Sequence, residues 1–179
     1  MPLEIIHISD THIGPDHSLD IRGANSWERA CALVEQINVL PFKPDLIVHT
    51  GDVVNDPDPA AYALAEEVLS GLELPVYYSA GNHDEVPMMR AALTFPEHQS
   101  LIPKSADRLC YRITHPSTEE YELFVIDGRV PPSEGAYGVV PLEQIEALAN
   151  QISGEKPVAV FSHYPMLETG SKWIDEHLL

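Results

Sequence analysis

Four short apolar runs, each breaking off into a knot of carboxylate, amide or imidazole side chains, constrain this chain more than any other feature. Residues 3–9 form the first run, apolar and rich in β-branched side chains, as expected for a strand buried on both faces. It ends in Ser9-Asp10-Thr11-His12. Leu46-Ile47-Val48 ends in Gly51-Asp52-Val53-Val54-Asn55, residues 75–79 in Gly81-Asn82-His83-Asp84, and residues 158–161 in Ser162-His163-Tyr164-Pro165. Between the runs the period changes. Trp27, Ala30, Leu33, Val34 and Ile37 recur at helical spacing before Pro41, and Asp58-Pro59 opens a helix that Gly71 stops. A weaker helical stretch surrounds residues 87–93, and residues 141–152 form another, with Leu142, Ile145, Leu148 and Ile152 on one side.

Repeated strand–helix units predict an α/β fold with helices packed on a sheet. Two strand-like runs, 109–114 and 121–126, flank the polar segment 115–119 and predict an antiparallel hairpin, hence a mixed sheet. The length of 179 residues, with no repeat or linker, predicts one domain over 1–179.

Open α/β sheets place their sites where strands end. A lone Asp-x-His is as readily a turn or cap as a ligand pair, and a lone Gly-Asp is usually a turn. Four such pieces in succession argue against coincidence. Oxygen and imidazole donors together suit Mn, Fe, Zn or Co, and a carboxylate shared by two ions can clamp a phosphoryl group. With 28 acidic and 10 basic side chains the net charge is −18, which disfavours nucleic acid as a partner. No apolar run approaches the ~20 residues of a membrane-spanning helix, and the first residues read as a core strand instead of a leader. The expectation is a cytoplasmic protein. Cys31, on a helix stripe, is expected to be a buried free thiol.

These residues resemble the calcineurin-like metallophosphoesterases. Asp10-x-His12, Gly51-Asp52-x-x-Asn55, Gly81-Asn82-His83-Asp84 and His163 match the family's motifs in order, across nearly the whole chain. The resemblance implies a sandwich of two mixed β-sheets flanked by helices. It implies two divalent ions (Mn, Fe, Zn or Co), the first bound by Asp10 and His12, the second by Asn82 and His163, with Asp52 bridging. It casts His83 as the group that contacts the phosphate and assists the leaving oxygen, and Asp84 as its support. The opening His7-Ile8-Ser9-Asp10-Thr11-His12 and the later Gly170-Ser171-Lys172-Trp173-Ile174-Asp175 look like the class III cyclic nucleotide phosphodiesterase branch. The implied activity is hydrolysis of small phosphodiesters, cyclic nucleotides among them, by a hydroxide held between the two ions.

The family carries a further motif, Gly-His-x-His, some tens of residues beyond the position of His163, and residues 164–179 contain none. A truncated product, a short form completed by water, His177 or a second subunit, and a domain that no longer turns over all remain open. The last would make the chain a non-catalytic interaction module. The second sheet is expected to be incomplete, with exposed apolar faces favouring a homodimer. Of the other histidines, His7 and His49 read as packed, His98 and His115 as exposed, and His17 as a candidate substrate contact. Arg22 could reach a phosphate. Arg129 and Tyr137 are candidates in a Gly- and Pro-rich loop.

Overall fold

The structure, a computed structural model, describes residues 2–131 and 137–177, apart from the side chains of Trp173, Glu176 and His177. The alternative ligand His177 therefore lies outside the described side chains; its backbone closes a short helix. Strand β1 (Ile5–Ile8) is followed by a small hairpin, β2 (Asp20–Ile21) and β3 (Ala24–Asn25), and by α1 (Ser26–Asn38). Then come β4 (Leu46–His49), α2 (Pro59–Leu69), β5 (Val76–Tyr78) and α3 (Val86–Ala92). The second half holds β6 (His98–Ser100), β7 (Tyr111–Ile113), β8 (Glu122–Val125), α4 (Leu142–Ala149), β9 (Val158–Phe161) and α5 (Lys172–His177).

Caps fix where the helices begin. The Asn25 side chain accepts from the Glu28 amide, and Asp58 accepts from the Ala60 amide with Pro59 in the first turn. Both helices turn small and branched side chains inward, Ala30, Val34 and Ile37 from α1 and Ala61, Ala65 and Val68 from α2. These cover a sheet ordered β1-β4-β5, in which both pairs are parallel. Central β4 is buried throughout, which is why it reads as a continuous apolar run.

The second sheet is ordered β6-β7-β8-β9 and is the mixed one. Its first two pairs are antiparallel and β8–β9 is parallel. The two sheets face each other across a shared core, stitched by Tyr111 Oη to the Tyr78 carbonyl (2.7 Å) and Ser79 Oγ to the Ile126 carbonyl (3.2 Å). Beyond β9 an apolar surface stays open. Leu142, Ile145, Met166 and Leu167 are exposed, and a cavity of about 750 Å³ opens between Ile145, Leu148, Val160 and Tyr164.

Two expectations need correction. His98 is half-buried in β6, its ring 4.6 Å from that of Tyr111, and His115 is half-buried where it caps a turn of 3₁₀-helix. Both are held by contacts distant in sequence or by local capping, which a polar, Pro-flanked segment does not advertise.

Candidate functional site

Strands β1 and β4 run on side by side as irregular chain past their last paired residues. Asp10 N–H donates to the Gly51 carbonyl, His12 to Asp52 and Ile13 to Val53, at 2.9–3.0 Å. This ladder holds Asp10, His12 and Asp52 at φ of 59°, 45° and 52°, a left-handed conformation that costs a non-glycine residue about 1–2 kcal/mol. Such strain persists where the surroundings overdetermine it, and it aims three polar side chains at one spot. The neighbouring turn comes from β5. Gly51 and Gly81 meet backbone to backbone, and a Cβ on Gly81 would overlap the Asp52 carboxylate.

At that spot the structure brings together Asp10, His12, Asp52, Asn82, His83 and His163. Asp52 is buried, and its Oδ1 accepts the His83 N–H at 2.9 Å. Its Oδ2 lies 3.6 Å from both His12 Nε2 and His163 Nε2. His163 Nδ1 lies 2.9 Å from the Thr50 carbonyl, which can only accept, so in the neutral ring Nε2 offers a lone pair. That lone pair faces Asn82 Oδ1 at 3.3 Å and Asp52 Oδ2. Acceptors thus converge with no proton between them, an arrangement that suits a divalent cation. His12 also turns its Nε2 to the carboxylates of Asp10 and Asp52, while its buried Nδ1 has no partner among the described residues.

Two groups of three could hold an ion, Asp10–Asp52–His163 and His12–Asp52–His83. Asp52 is common to both; Asp10 stands with His163 in one and His83 with His12 in the other. The His12 imidazole beside Asp10 is the main reason that carboxyl is held down at about 2, and the same contact raises His12.

Asp84 makes no hydrogen bond to the His83 ring among the described residues. Its buried carboxylate instead accepts from the backbone amides of Gly81, Val53 and Val54 and from Tyr62 Oη, tying the β4 and β5 turns together. Burial pushes its carboxyl up despite those donors. The ring of His83 is held by the Asn55 carbonyl, 2.5 Å from Nδ1, and lies edge-on to His12 at 4.8 Å. His17 is not among the converging residues either; its ring stacks on Trp27.

Several positioning residues carry no motif. Buried His49 accepts from the Gly51 amide at Nδ1 and faces Thr11 Oγ1 at 3.0 Å through Nε2. Thr11 in turn donates to the Val53 carbonyl. Tyr62, on the inner stripe of α2, also receives the Glu85 amide. Arg129 pairs with fully buried Asp127 and reaches back to the Asp84 carbonyl at 2.9 Å, joining the second sheet to the β5 turn. Helical spacing marks Tyr62 only as core, and nothing local marks the partners of Arg129.

Among the described residues no helix is long and apolar enough to cross a membrane. The sequence matches the family of calcineurin-like phosphoesterases over residues 3–179. It is 29% identical over 178 residues to the 3',5'-cyclic adenosine monophosphate phosphodiesterase CpdA of Escherichia coli strain K12, covering 99% of this chain and 60% of that protein. It is 32% identical over 181 residues to the glycerophosphodiester phosphodiesterase GpdQ of Enterobacter lignolyticus, covering 96% and 60%. With the cAMP/cGMP dual specificity phosphodiesterase MT0825 of Mycobacterium tuberculosis it shares 32% over 158 residues, covering 86% and 46%. The chain thus spans 60% or less of the length of these three curated relatives.

Proposed function

Since the chain belongs to the calcineurin-like phosphoesterase family, we propose that it hydrolyses small phosphodiesters with two divalent ions sharing Asp52. One observation carries the reading: a single buried carboxylate oxygen, Asp52 Oδ2, stands 3.6 Å from the nitrogens of two imidazoles, His12 and His163. Asp10 and His12 would hold one ion, and Asn82 and His163 the other. Such ions supply positive charge against the phosphate oxygens and make water acidic enough to attack phosphorus. That charge also answers how a protein of net charge −18 accepts an anion.

The remaining steps belong to the chain. His83 keeps its Nδ1 proton on the Asn55 carbonyl, so Nε2 is the nitrogen that meets the substrate. As imidazolium it gives the Nε2 proton to the departing alkoxide and returns to the neutral ring. Asp84 and Tyr62 fix the backbone on which His83 and Asn82 ride. The relatives named for cyclic nucleotides and glycerophosphodiesters support small diesters as the substrate class. A homodimer through the open apolar surface at Leu142, Ile145, Met166 and Leu167 belongs to the same reading.

The test is hydrolysis of bis(p-nitrophenyl) phosphate with Mn²⁺, with EDTA, and by Asp52→Asn. Turnover should require the metal and fall at least roughly 10²-fold in the variant, beyond the usual cost of altering a ligand's supporting contacts. The asparagine keeps the acceptor for His83 N–H, so circular dichroism should match the wild type. Turnover in EDTA, full activity of the variant, or a folded but inactive wild type would each overturn the proposal.

A further inference from the structure

A cavity of about 410 Å³ adjoins the cluster, with Asp10 and His12 in one wall. Its other walls are the β2–β3 hairpin and the first turns of α1, where Ser26, Arg29, Ala30 and Leu33 recur at helical spacing along one face. Arg22 and Arg29 are its two cations.

Three features set this cavity apart from an ordinary surface dent. Both side chains are exposed, and neither guanidinium has an ion pair or hydrogen bond among the described residues, whereas those of Arg108, Arg112 and Arg129 are all paired. In a chain with 28 acidic side chains and 10 basic ones, two unpaired guanidiniums on one cavity mark a place reserved for an anion. Secondly, Arg22 sits at φ 54° before Gly23 at φ 82°, the two central residues of the hairpin turn. Asn, Asp or Gly suits that first position; an arginine costs stability there, a cost that proteins keep where the side chain serves a site. Thirdly, Ser26 is more than nine-tenths buried in the wall, and its hydroxyl has no partner among the described residues.

We infer that this cavity is a substrate subsite for a second negative charge, a carboxylate or phosphomonoester borne on one alcohol of the diester. The inference rests on the phosphodiesterase reading and narrows its substrate class. The diester phosphate would sit at the Asp10–His12 wall, and its charged substituent would run toward Arg22 and Arg29. Guanidinium forks match both anions in bidentate geometry. An uncharged alcohol of the same length would leave both arginines facing water.

The test compares two uncleavable phosphinates of equal length, ethyl(propyl)phosphinate and ethyl(2-carboxyethyl)phosphinate, by calorimetric titration of the Mn²⁺-loaded protein. The carboxylated probe should bind at least tenfold more tightly, and in the Arg22→Gln/Arg29→Gln variant the two should agree within twofold. Equal binding by the wild type, a preference that survives in the variant, or no measurable binding of the carboxylated probe would overturn the inference. Turnover of bis(p-nitrophenyl) phosphate on the same sample separates the two readings. A carboxylate preference without turnover keeps the subsite and rejects the hydrolase; turnover without a preference does the reverse.

Discussion

Asp52 works with each oxygen separately: one accepts a backbone N–H and sets the β5 turn, the other faces two imidazoles. His83 is split in the same way, with Nδ1 bound to the Asn55 carbonyl and Nε2 left to the site. Replacing it by asparagine removes the proton donor, and kcat should fall by roughly 10²–10⁴-fold, the span of general acid catalysis. Steady-state kinetics with Mn²⁺ check this, and an unchanged kcat would remove His83 from the chemistry. The residues that converge were legible because each is a polar side chain at the end of an apolar run. Thr11, Tyr62 and Asp127 were not, because their significance lies in contacts 17 to 42 residues away. Asp84 follows His83 in sequence, but its carboxylate accepts from the amides behind the turn, so its hold on His83 acts through the backbone.

At the scale of elements, α1 and α2 were readable to within a few residues, since caps, proline and apolar period agree. The hairpin β2–β3 was missed because two-residue strands have no period. Strand β6, His-Gln-Ser, was missed because only its ladder with β7 makes it a strand. Among the links between the two halves of the molecule is Arg129, which joins Asp127 after β8 to the turn after β5. Arg129→Met should destabilise the fold by about 3 kcal/mol, the lower end for orphaning a buried charge, since Arg108 Nη1 stays 3.7 Å from Asp127. Urea denaturation measures it. A loss under about 1 kcal/mol, as for an exposed pair, would show that the link is dispensable.

For the molecule as a whole, buried His49 ties stability to pH. Burial pushes its pKa down to about 3, against an ordinary value of about 6.5. Below pH 6.5 the unfolded chain takes up a proton there that the folded chain refuses, so the contribution present above 6.5 is lost as pH falls toward 3. The urea midpoint should drop more steeply from pH 7 to 5 in the wild type than in His49→Gln, even though the variant starts lower; parallel curves would refute the assignment. A second whole-molecule constraint lies where Gly51 meets Gly81. Compensation normally lets a lineage exchange one member of a contact by adjusting the other, larger here and smaller there. The Gly81 backbone that blocks a side chain at Gly51 has nothing smaller to offer, and Gly81 is itself blocked by the Asp52 carboxylate and amide, so neither position can open a path for the other. Variation in descendants of this sequence must flow around that pair, through the side chains of the surrounding walls.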